Sequence, residues 1–167
     1  MLIGITGTHG TGKTTFLYKL AHDLKIRHST KSLGIISEVA RSCPLPIFSA
    51  KSEASERAQM WILASLIREE ISKAAKFDIV ISDRTVFDVI AYTMEVDQDL
   101  AAEMLGLVQR IHYDQVYFIR PFGEEWMTND GQRSVDSGLR QRVDRNLVSI
   151  LNSQDINVKE IKIKRMN

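Results

Sequence analysis

Gly7-Thr8-His9-Gly10-Thr11-Gly12-Lys13-Thr14 reads G-x-x-x-x-G-K-T, the phosphate-loop or Walker A spacing. Each residue type has a task in holding a nucleoside triphosphate. Gly7, Gly10 and Gly12 let backbone N–H groups turn inward as a nest for phosphate oxygens, with His9, Thr11 and Thr15 completing the loop. Lys13 reaches the β- and γ-phosphates as a point charge. Thr14 offers a hydroxyl ligand to Mg²⁺. ATP with Mg²⁺ is therefore the expected ligand pair. His9 reads as a polar or packing loop residue, and Cys43, the lone thiol, as a structural one.

Further charged residues follow apolar runs. Asp83 comes after Ile79-Val80-Ile81-Ser82, a Walker B arrangement in which the carboxylate holds Mg²⁺ directly or through water. Arg84 beside it carries a planar fork suited to phosphate. Glu38, after the apolar run 33–36, is the expected general base or ligand of an acceptor hydroxyl. Arg41 shares its face or pairs with it. Residues 120–145 hold five arginines and five acids, so the stretch is no basic patch. Arg133 and Arg140 are the expected contributors of positive charge to a transferring phosphoryl group. Trp126 is a hydrophobic anchor or a stacking platform. The four histidines and one cysteine lack metal-ligand spacing.

These residues need a frame to bring them together. Strands are expected at 2–5, 32–37, 78–82, 115–119 and 158–163. Helical periodicity covers 15–26, 52–76, 86–95, 100–111 and the later part of 135–151. Pro44 and Pro46 mark a loop, and the aperiodic stretch at about 122–140 reads as a lid. Alternating strands and helices imply an α/β fold with a mainly parallel sheet. Ligands in such folds bind outside the carboxyl ends of the strands, where the Walker loop, Glu38, Asp83-Arg84 and Arg120 all fall.

At 167 residues, one domain over 1–167 is expected. A net charge of +1 gives no global basic field, so nucleic acid is not the favoured partner. No apolar stretch reaches membrane-spanning length. A single cysteine fits a reducing cytoplasm. Asn-Lys-x-Asp and Leu-Ser-Gly-Gly are absent from the sequence, which argues against a guanine-nucleotide switch and a transporter ATPase.

With these stretches assembled, the chain resembles the nucleoside and nucleotide kinase branch of P-loop proteins. The likeness is nearest to the ribosylnicotinamide-kinase-like group found in bacterial regulators of NAD biosynthesis. It is carried by the loop 7–15, Glu38-Val39-Ala40-Arg41, Gln59, Asp83-Arg84-Thr85, and Trp126 with Asp130-Gly131-Gln132-Arg133. The Asp-Arg-Thr triplet is closer to that of thymidylate and deoxynucleoside kinases. The resemblance implies a three-layer α/β/α domain with sheet order 2-3-1-4-5 and a lid carrying Arg133 and Arg140. It further implies that Gln59 on the long helix touches the acceptor. The expected activity is transfer of the ATP γ-phosphoryl to a nucleoside, nucleotide or related small molecule by a monomer or homodimer. A kinase for nucleic-acid ends or modified bases, and a P-loop ATPase or binding module, are the alternatives.

Overall fold

The computed structural model describes residues 1–47, 53–120 and 137–162. Five strands form one parallel sheet: β1 (Leu2–Thr6), β2 (Leu33–Ile36), β3 (Ile79–Asp83), β4 (Gln115–Arg120) and β5 (Val158–Lys162). Their order is β2-β3-β1-β4-β5, as the resemblance implies. The connecting helices are α1 (Lys13–Arg27), α2 (Glu53–Ala74), α3 (Val86–Thr93), α4 (Gln98–Val108) and α5 (Ser137–Ser153). Each expected strand and helix is present, with ends shifted by up to three residues.

Right-handed crossovers dictate which face each helix covers. The chain moves one way along the sheet from β1 to β2 and then reverses for β3, β4 and β5. Among the described residues, one face therefore receives α1 alone, and the other receives the helices after β2. The core divides accordingly. Leu17 and Ala21 of α1 pack with Ile3, Ile5, Ile79, Ile81 and Ile119. On the opposite face Ile62, Leu66, Val86, Ile90, Val143 and Leu147 pack with Leu2, Val80, Val116 and Phe118. Side chains of β1 alternate between these two clusters and are all buried, the mark of a central strand covered on both sides.

A polar group lies inside the larger core. Tyr113 donates to Glu70 Oε1 at 2.7 Å and accepts from the Val86 amide at 3.0 Å. It thereby ties α2 to the start of α3. Glu70 is 1% exposed, and burial pushes its carboxyl up to about 7 against the hydrogen bond from Tyr113.

Candidate functional site

The register β1–β3 sets Ile5 beside Asp83, so the loop leaving β1 and the turn leaving β3 emerge side by side. Gly7 has φ 137°, and a Cβ there would sit 2.4 Å from the Ile119 carbonyl oxygen of β4. Only glycine fits that backbone and that gap. Gly12, at φ 84°, caps α1 without a side-chain hydrogen bond, and no acid stands in the first turn. The amino-terminal N–H groups of α1 are thus left to an anion. Thr8 organises the loop interior: its carbonyl accepts from Thr11 Oγ1 at 3.0 Å and from Lys13 Nζ at 2.5 Å. Lys13 is 6% exposed. Burial, helped by Arg84, pulls its amine down to about 7, against the raising effect of Asp88, Asp83 and Glu38. Thr14 Oγ1 donates to Asp83 Oδ2 at 2.8 Å, which brings the two expected metal ligands together. Gly10 and Thr15 are exposed on the same rim.

Arg84 occupies the centre. Its φ is 105°, a strained backbone for a side-chain-bearing residue, at a cost on the order of 1–3 kcal/mol. Its fork is committed inside the protein. Nε and Nη2 donate to Glu38 Oε1 at 3.1 and 3.0 Å, and Nη1 donates to the Gly7 carbonyl at 2.9 Å and to Asp88 Oδ1 at 3.2 Å. The guanidinium also lies 5.6 Å from the Tyr92 ring centre. Burial alone would lower its pKa, but Tyr92, Asp88, Glu38 and Asp83 more than offset this and raise it. Arg41 Nε closes the other side of Glu38, on Oε2 at 2.8 Å. The expected pairing of Arg41 with Glu38 is thus present.

A cavity of about 700 Å³ opens beside this cluster. Glu38, Arg41, Arg84, Asp88, Gln59, His9 and Tyr92 supply its polar lining, and Leu45, Pro46, Ile62, Leu66 and Val89 much of its apolar wall. Gln59 is 2% exposed, and its Nε2 has no hydrogen-bond partner among the described residues. A buried amide without a partner costs about 1–3 kcal/mol, a cost that a ligand acceptor would remove. His9 Nδ1 and Tyr92 Oη lie 3.2 Å apart at the mouth between cavity and phosphate loop.

Arg140 enters from α5. Its Nε donates to Thr8 Oγ1 at 3.3 Å, and its Nη2 is buried without a partner among the described residues. Burial lowers its pKa against the raising effects of Asp144 and Tyr92. Arg142 pairs with Glu95, and Arg120 with Asp144 at 2.9 Å, so both anchor α5. Arg133 and Trp126 lie outside the described residues.

Lys13, Thr14, Glu38, Arg41, Gln59, Asp83, Arg84 and Arg140 thus converge on one edge of the sheet. Two participants escaped sequence reasoning, Asp88 and Tyr92. Thr85-x-x-Asp88 has capping-box spacing, a signal that marks Asp88 as structured but not as facing the loop. Tyr92 gives no signal in the sequence. Among the described residues no cluster of three or more His, Cys, Asp or Glu offers a separate metal centre, and no helix is long and apolar enough to cross a membrane.

Fold and loop together define a P-loop α/β protein. The AAA domain model matches residues 2–166, and the chain belongs to that family. No curated protein matches the sequence. Among solved structures the fold is similar to thymidylate kinase from Ehrlichia chaffeensis, at TM-score 0.71 and 22% identity over 99% of this chain and 88% of that one. It is similar also to deoxyadenosine kinase from M. mycoides, with products dCMP and a flexible dCDP bound, at 0.70 and 19% over 96% and 90%. Thymidylate kinase from Candida albicans gives 0.71 and 18% over 98% and 84%. The five-stranded order is thus that of nucleotide-kinase folds.

Proposed function

We propose that this protein is a small kinase that transfers the γ-phosphoryl of ATP, with Mg²⁺, to a nucleoside, a nucleotide or a related small molecule. One observation carries the reading. The phosphate loop and the Thr14–Asp83 pair open onto the same edge as a cavity of about 700 Å³, and Glu38 lines that cavity. A switch or a bare ATPase has no need of a second, partly apolar chamber beside its phosphate loop. The nucleoside and nucleotide kinases that share the fold support the same reading.

The donor set suits the expected ligands. Thr14 and Asp83 supply hard oxygens, two in number, in keeping with an Mg²⁺ that keeps phosphate oxygens and waters as its other ligands. When bound, the ion neutralises charge on the phosphates. The rest falls to the chain. Gly10, Gly12 and the first turn of α1 present N–H groups to the phosphates, and Lys13 adds its charge. Glu38, held by two guanidiniums, orients an acceptor hydroxyl. That is sufficient, because phosphoryl transfer depends chiefly on positioning and charge stabilisation. Arg140, with a free Nη2 beside Thr8, stabilises the transferring group, and Arg133 on the lid is assigned the same task. Arg84 acts by holding Glu38 and Gly7 in place, and Gln59 pairs with a polar edge of the acceptor. Trp126 keeps its expected role as hydrophobic anchor or stacking platform, and a ribosylnicotinamide-type acceptor is among those that the pocket is proposed to accept.

The test is an ATP-consumption screen with Mg²⁺ against nucleosides, nucleoside monophosphates, ribosylnicotinamide and DNA oligomers. Turnover stimulated by a small molecule supports the proposal. Stimulation by DNA alone, or hydrolysis indifferent to every acceptor, overturns it.

A further inference from the structure

Asp88 is 1% exposed in the first turn of α3, and both of its oxygens are doubly occupied. Oδ2 accepts from the Thr85 amide and from Thr85 Oγ1, each at 2.8 Å. Of these, the bond from the Thr85 amide is the one by which Asp88 takes part in the capping box, so capping needs Oδ2 alone. Oδ1 turns the other way. It accepts from the Gly7 amide at 3.2 Å and from Arg84 Nη1 at 3.2 Å. Because Arg84 Nη1 also donates to the Gly7 carbonyl at 2.9 Å, a closed ring results. The amide and the carbonyl of the first phosphate-loop residue are fixed by one ion pair. Arg84 meanwhile carries Glu38 at its far side.

We propose that Asp88 is a positioning residue that couples the two halves of the site. Through Gly7 it sets the direction in which the phosphate loop leaves β1. Through Arg84 it fixes Glu38 against the acceptor chamber. This rests on the kinase reading above. The inventory of bonds separates it from simple capping: a cap needs Oδ2, and the coupling uses Oδ1. Hydrogen bonds to a buried charge weigh more than neutral ones, and their loss leaves Gly7 and Arg84 with unmet donors.

The experiment measures binding of a fluorescent ATP analogue with Mg²⁺ to the full chain and to Asp88→Asn, Asp88→Ala and Thr85→Val. Wild-type binding is expected, with affinity at least about tenfold weaker in both Asp88 variants. Thr85→Val removes one cap bond but keeps the contacts of Oδ1. It should lose thermal stability while holding affinity within about twofold. In the acceptor assay Asp88→Asn should also lower kcat, through Glu38, beyond its effect on the KM for ATP. Equal affinity in wild type and Asp88→Asn overturns the proposal and leaves the kinase reading intact. Weakening by Thr85→Val as large as that by Asp88→Asn reduces Asp88 to a cap and also overturns it. No binding by the wild type overturns the kinase reading and this proposal with it. Should neither Asp88 variant fold, amide exchange at Gly7 in the wild-type chain decides: strong protection supports the ring, and exchange at an open-loop rate overturns it.

Discussion

Arg84 grips a single oxygen of Glu38 with two nitrogens, Nε at 3.1 Å and Nη2 at 3.0 Å, across a sequence separation of 46 residues. The pair spans from the end of β3 to the end of β2. It converts two strand ends into one rigid rim. Both side chains are about nine-tenths buried, at 12% and 11% exposure, so water does little to replace a lost partner. Arg84→Ala is expected to destabilise the fold by about 3 kcal/mol, since two carboxylates, Glu38 and Asp88, lose their shared cation. Urea unfolding checks this; a loss under about 1 kcal/mol would mean that the rim does not depend on the pair.

Lys13 should take up a proton when a nucleotide binds. Its buried amine sits at about 7, and phosphate oxygens favour the charged form. Calorimetry in buffers of different ionisation enthalpy should show uptake approaching one proton near pH 8, absent in Lys13→Met. In the nucleotide-free protein the sign runs otherwise. The folded value lies below the ordinary 10.5, so the unfolded chain binds more protons between about 7 and 10.5. Wild-type stability should therefore rise with pH across that window, and Lys13→Met should lose the slope.

Glu70 has the opposite dependence. Its folded value of about 7 exceeds the ordinary 4.5, so the folded state holds more protons between them. Its contribution is complete below about 4.5 and disappears as pH rises through about 7, a loss on the order of 3 kcal/mol. Glu70→Gln keeps an acceptor for Tyr113 and cannot ionise. Denaturation curves at pH 5 and 8 should show a smaller difference in the variant than in the wild type. Equal differences would place the titration elsewhere.

Arg140 is expected to act on the rate. Its unpartnered Nη2 lies beside Thr8, and donors aimed at developing charge matter most in the transition state. Arg140→Ala should lower kcat by roughly a hundredfold while changing ATP affinity less. Steady-state kinetics with the acceptor found by screening would separate the two parameters. The same split is expected for Arg133→Ala.

The periodicities of 15–26 and 52–76 and the apolar runs at 79–82 and 115–119 made the alternating fold readable, because burial on both sheet faces leaves a continuous signal. The loop at 7–14 was readable because phosphate binding restricts nearly every position in it. Arg84 was less so. Its type suggested a phosphate ligand, yet its fork is spent on Glu38, Gly7 and Asp88, partners that only the parallel register brings near. Asp88 shows the same limit. Sequence spacing reports the bond to Thr85 three residues away but is silent on Gly7, 81 residues distant.

Among the described residues α1 is the one helix that covers its sheet face, and the phosphate loop leads directly into that same helix. Leu17 and Ala21, its buried apolar anchors, lie four and eight residues after Lys13. Whatever steadies the loop thus also clamps the helix that packs on that face. Saturation with nucleotide and resistance to melting become one linked equilibrium, and the midpoint should climb with the logarithm of ligand concentration.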